Sequence, residues 1–149
     1  MKITERTRVY IKNFGDGNYM WPEALQRSAI CLIADAKSHE FFTKGLESEY
    51  REYAAASLKT SKGVAPDEGT ITLWWNTHAR LDNITEDDLF IHDDGLHIYW
   101  TQINGEENIY ERCPDPHARG REGAEVINTF YPTNPVSYTH LTLPTTPYV

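Results

Sequence analysis

The sequence predicts an α+β domain: a bent mixed sheet, or a small β-barrel, with flanking helices. Three observations carry that expectation. Strand-like and helix-like patterns follow in the order β-α-β-α-β-β-β, with the strands clustered late. An apolar stripe at helical spacing runs over about 39–58, and an Asp-Gly pair sits between two β-rich runs.

"RVYIKNF" (Arg8–Phe14) alternates, with Val9 and Ile11 on one face and Tyr10, Lys12 and Phe14 on the other. It reads as a strand ended by the turn cluster Gly15-Asp16-Gly17-Asn18. In "WPEALQRS", Pro22 suits a first helical turn and Glu23 complements its dipole, so a short helix follows. The continuous apolar run "AICLIADA" reads as a buried strand. Ser38 is then expected to cap one long helix over about 39–58, which turns Phe42, Leu46, Tyr50 and Tyr53 to the core. Gly63 and Pro66 close that segment.

"TITLWWN" (Thr70–Asn76) is rich in β-formers and reads as a strand. "DLFIHDDGLHIYWTQIN" reads as a hairpin with Asp94-Gly95 as a two-residue turn, which pairs His92 with His97 and Ile91 with Ile98. One face then holds Leu89, Ile91, Ile98 and Trp100; the other holds Phe90, His92, His97 and Tyr99. "ENIYERC" adds a strand, "PDPHARGREGAE" a loop, and "AEVINTFYP" a short closing helix or strand.

With 149 residues, 40% hydrophobic and 24% charged, the chain fits one domain with one core. No apolar run reaches the roughly 18 residues of a membrane span, and the charged start lacks a signal-peptide core. Cys31 and Cys113 are therefore expected to be free thiols in a cytoplasmic protein. A net charge of −8 argues against non-specific polyanion binding. No phosphate-binding loop, dinucleotide fingerprint or hydrolase elbow occurs.

The aromatic surplus suggests a cage for a flat ligand: Trp74, Trp75, Phe90, Tyr99 and Trp100 fall on three expected strands, with Tyr10, Phe14 and Trp21 near the first. Packing alone is the alternative. His92 and His97, opposite one another, would read a ligand by hydrogen bonds or begin a metal site. Cys113-x3-His117 supplies only half of a zinc spacing, so no metal and no cofactor is expected. Arg8 and Lys12 at the start, with Arg112, Arg119 and Arg121 around a Gly-containing loop, are candidate phosphate contacts; the alternative is ion pairing with the many acids.

"RVYIKNFGDGNYMWPEALQRSAICLIA" and "ITEDDLFIHDDGLHIYW" together resemble the PUA-like group, and within it the EVE-like domains found at the N-terminus of modification-dependent restriction enzymes. Ile84-Thr85-Glu86-Asp87-Asp88-Leu89 matches that family's I-x-x-G-D-L step, with Asp87 in place of its Gly. The resemblance covers about residues 8–110. It implies a bent PUA-like β-barrel and an aromatic pocket for a modified base, with Trp21, Trp74, Trp75, Phe90 and Tyr99 as the candidate pocket positions.

Residues 135–149, "PVSYTHLTLPTTPYV", carry no charge and are rich in Thr and Pro. They resemble translated sequencing-adaptor read-through. On that likeness one domain spans 1–134, a C-terminal domain is lost, and 135–149 is a non-native or disordered tail.

Three functional readings stand at this level. One is a nucleic-acid reader of a modified or flipped base; the second is a small-molecule or metal-dependent enzyme using His92 and His97. The third is a protein-interaction module of a mobile element.

Overall fold

The computed structural model describes residues 2–81, 83–117 and 123–140. These residues form four α-helices and seven strands in two sheets, an α+β arrangement. The first sheet has the order β1-β3-β4-β7 and the second β2-β6-β5. Each has free edges, so neither closes into the barrel that was the alternative expectation.

The chain divides into two compact units where the sequence suggested one domain. Met1–Cys31, Thr85–Asn108 and Phe130–Val149 make the first; Leu32–Ile84 and Ile109–Thr129 make the second. The second sheet contains β2 (Ala29–Asp35) and β6 (Glu125–Pro132).

In the first unit, β1 (Val9–Ile11) runs parallel to β3 (Leu89–Asp93), which pairs antiparallel with β4 (His97–Thr101). An ion pair between a half-exposed arginine and a buried carboxylate joins β1 to β3. Asp88 is 1% exposed and accepts from Arg8 Nε at 3.0 Å, Arg8 Nη2 at 2.7 Å and the Thr85 N–H at 2.9 Å. Burial would raise the Asp88 carboxyl, but these donors and the Arg8 charge outweigh it and hold it below its ordinary value.

The β3–β4 register differs from the expected one. Ile91 faces Trp100, His92 faces Tyr99 and Asp93 faces Ile98, so Gly95 and Leu96 form the tip. Gly95, at φ 89°, stands first in that tip, where a type II′ turn requires glycine. Asp94 is taken up below it: its Oδ1 accepts the N–H groups of Leu96 at 2.9 Å and His97 at 2.8 Å. The slip is two residues, so the face assignments survive although the His92–His97 pairing does not.

The helix α1 (Trp21–Arg27), with Pro22 in its first turn, follows the Gly15–Asn18 turn as expected. Gly15 and Gly17 have φ of 84° and 65°, a region open to glycine at little steric cost. From the segment expected to be non-native or disordered, Ser137–His140 form β7, which pairs with β4 and sets Tyr138 opposite Tyr99.

In the second unit the expected long helix is two helices. The Asp35 carboxylate, rather than Ser38, caps α2 (Ala36–Lys44) by accepting the Ser38 N–H at 3.2 Å. Gly45, at φ 66°, ends α2; its N–H and that of Leu46 return to the carbonyls of the last turn. The helix α3 (Glu47–Ser57) then starts afresh. Residues 70–76, expected as a strand, lie in α4 (Glu68–Leu81). Asp67 accepts the Thr70 N–H at 2.7 Å, the contact of a helix N-cap. Ile71, Trp74, Trp75 and His78 follow at helical spacing, and the first three pack with Tyr50 and Ala54 in one core. The closing segment resolves as the strand β6, and the last five residues of "ENIYERC" lie in β5 (Ile109–Pro114).

Candidate functional site

The first unit's sheet turns Tyr10, Phe90, His92 and Tyr99 to its inner side. Phe90 and His92 are buried there, and Tyr10 stacks on Phe90 with centroids 5.2 Å apart. Phe14 arrives from the turn after β1. Its N–H donates to Asn18 Oδ1 at 2.9 Å and its carbonyl accepts the Met20 N–H at 3.0 Å. That loop fixes Phe14 beside Trp21, the first residue of α1.

Four rings then meet, with His92 at their centre. Trp21 lies 4.2 Å from the imidazole and 4.6 Å from Tyr99. Phe14 meets His92 edge-on at 4.9 Å, an interplanar angle of 85°. Such tilted and edge contacts are the favoured aromatic geometries. At the rim Tyr138 packs 5.7 Å from Tyr99 and 5.4 Å from His97.

His92 is the distinctive member. Its Nδ1 lies 2.8 Å from the Lys12 carbonyl oxygen, which can only accept, so Nδ1 carries the proton. In the neutral ring Nε2 is therefore an acceptor. Nε2 is sequestered from solvent, the residue is 4% exposed, and no described residue supplies Nε2 with a hydrogen bond. A buried polar atom left without a partner costs on the order of 1–3 kcal/mol. Such a group in a native fold calls for a reason, and a ligand that supplies the missing bond is one.

The cavity beside it has a volume of about 20 Å³ and is bounded by Lys12, Phe14, Trp21, His92, Tyr99 and Val136 among others. That is room for about one water. Burial lowers the Lys12 ammonium to about 8, and the ammonium sits 5.0 Å over the Phe14 ring while donating to the Asn13 carbonyl. The Tyr99 phenol is pushed up by desolvation first, then by its hydrogen bond to Asp94 and that carboxylate's charge. Hydrogen bonds from the Leu96 and His97 N–H groups are the main cause holding Asp94 below its ordinary value.

Of the expected wall residues, Trp21, Phe90, His92 and Tyr99 come together here. His97 lies two positions along β4 from Tyr99, with Nδ1 3.7 Å from Asp94 Oδ1 rather than beside His92. Trp74 and Trp75 are not walls of this cavity. They belong to the second unit's core, where Trp75 packs 5.5 Å from both Phe42 and Tyr50. Lys12 and Val136 line the cavity without having been expected to; the alternation of 8–14 places Lys12 on the Tyr10 face, which was the available signal.

Two of the five expected phosphate contacts face carboxylates. Arg8 chelates Asp88, and Arg112 Nη1 stands 3.6 Å from Glu125. Arg119 and Arg121 lie outside the described residues. Among the described residues no three His, Cys, Asp or Glu side chains gather as metal ligands, and no helix is long and apolar enough to cross a membrane. Comparison with protein-family models, with curated proteins and with solved structures gives no match.

Proposed function

We propose that the first unit is a non-enzymatic reader that accepts one unstacked, modified base of a nucleic acid among Phe14, Trp21, His92 and Tyr99. The observation that carries this reading is the buried Nε2 of His92, to which no described residue donates, in an aromatic surround. Flat heterocycles are held by this combination: ring faces for stacking and a few polar atoms for the edge.

The cavity's size dictates how binding must proceed. At about 20 Å³ it is far below the roughly 300 Å³ of a small ligand pocket. A base therefore enters by displacing a ring. Trp21 is the candidate, because it opens a short helix and is only partly buried, whereas Phe14 is 3% exposed and tied to its loop. Freeing a large apolar side chain forfeits about 1.5–3 kcal/mol. Stacking a base returns about 1–3 kcal/mol. The exchange is close to balanced, so the edge contacts to His92 and Lys12 decide affinity.

Arg8 and Arg112 face carboxylates, which leaves Lys12, at the cavity, as the described candidate for a phosphate contact. Binding should then depend weakly on salt: one phosphate contact gives a slope of log K against log [salt] of about −0.7 on a single strand. Oligonucleotides carrying one modified cytosine or adenine, unpaired or mismatched, are expected to bind more tightly than unmodified ones. His92→Ala should weaken that binding, and Trp21→Ala, which opens the seat in advance, should not, while the fold persists by circular dichroism in both. Equal or absent binding across such a panel at low salt removes the reading.

A further inference from the structure

The histidine's tautomer restricts what the site can accept, an inference that rests on the reading above. The Lys12 carbonyl fixes the proton on Nδ1, so on this cavity-lining residue the remaining ring nitrogen, Nε2, offers a lone pair. That carbonyl is itself held: the N–H of Lys12 donates to the Ile91 carbonyl at 2.9 Å, locking the residue to β3. His92 cannot present an N–H to the ligand while it stays neutral and this bond stands.

We infer that His92 is the specificity-determining residue of the site and selects heterocycles that present an exocyclic amino group over those that present an oxo group there. An amino N–H satisfies Nε2 and removes its buried penalty. A carbonyl oxygen in the same place sets lone pair against lone pair and leaves both atoms unsatisfied. Sites built to hydrogen-bond a substrate N–H or O–H discriminate strongly against analogues without it, because the site's own polar group is then stranded. Cytosine and uracil derivatives are the test pair: they differ in 4-amino against 4-oxo and, at the neighbouring N3, in acceptor against N–H.

Two measurements on the full chain test it. A long-range 15N spectrum at neutral pH is expected to show His92 as the Nδ1–H tautomer; an Nε2–H tautomer overturns the inference without reference to any ligand. Titration with two single-stranded oligonucleotides, identical but for one 5-methylcytosine or its 4-oxo counterpart thymine, is expected to favour the amino base by at least about tenfold, from the penalty for an unsatisfied buried acceptor. His92→Ala should reduce that preference to about twofold or less. His92→Gln, which can present either an N–H or a C=O, should retain binding to both bases. Comparable binding of the two bases to the unaltered protein overturns the inference and leaves the reader standing. Binding of neither overturns both.

Discussion

Replacing Asp88 with Asn tests the frame on which the site depends. The substitution keeps the side chain's size but exchanges a carboxylate oxygen for an N–H2 group among donors from Arg8 and Thr85. Breaking a buried ion pair from one side costs about 3–5 kcal/mol. Here the Arg8 side chain is 48% exposed, so water takes over part of the lost contact and about 2–3 kcal/mol is the expected loss. For a chain of this length that corresponds to a melting temperature lower by roughly 4–12 °C.

Thermal and urea unfolding of the two proteins would measure it, and the pH dependence gives a second handle. Asp88 is held below its ordinary value in the fold, so its contribution is fully present above the unfolded carboxyl's pKa of about 3.9 and fades as pH falls through the lower folded value. The gap between wild type and Asp88→Asn should therefore be constant at neutral pH and shrink below about pH 4. A melting temperature within about 1 °C of wild type at pH 7, or a gap unchanged at pH 3, would refute the assignment of Arg8–Asp88 as the clamp between β1 and β3.

Other outcomes follow from the second unit. Trp75→Ala removes a ring that packs on Phe42 and Tyr50 and should cost about 2–4 kcal/mol in urea unfolding, while Trp74→Phe should leave base binding unchanged. Burial, then the Asp35 charge, pushes the Tyr50 phenol up to about 12. Its contribution is intact below the unfolded value near 10 and lost as pH rises through about 12; unfolding followed by tyrosinate absorbance should show the fold weakening across that window, less so in Tyr50→Phe. Gly45→Ala meets no neighbouring atom but must hold φ 66°, a loss of about 1 kcal/mol in thermal unfolding.

How far the sequence leads depends on the range of the interaction involved. Alternation with period two placed Phe90, His92 and Tyr99 on one side of a hairpin, and that survived a register error because a two-residue slip preserves the face. The turn itself was misread: Asp94-Gly95 has the favoured composition, but the Asp94 carboxylate is committed to the Leu96 and His97 amides, moving the tip to Gly95-Leu96. At Thr70–Asn76 the wealth of β-formers hid a helical face of Ile71, Trp74, Trp75 and His78, although Asp67 supplied a readable cap. Lys44 followed by Gly45 was likewise a legible helix stop, overridden by the stripe that continues through it. The Arg8–Asp88 pair was not legible, because its partners stand 80 positions apart and only the parallel pairing of β1 with β3 joins them.

The central claim is that a base takes the seat of Trp21 beside His92, and 19F NMR of 5-fluorotryptophan-labelled protein addresses it most directly. The four Trp residues give four resonances, assigned by single Trp→Phe substitutions. On titration with an oligonucleotide bearing one unpaired 5-methylcytosine, the Trp21 resonance is expected to shift most and saturate, with those of Trp74 and Trp75 unmoved. Binding that leaves the Trp21 resonance in place, or moves Trp74 and Trp75 instead, would contradict the account.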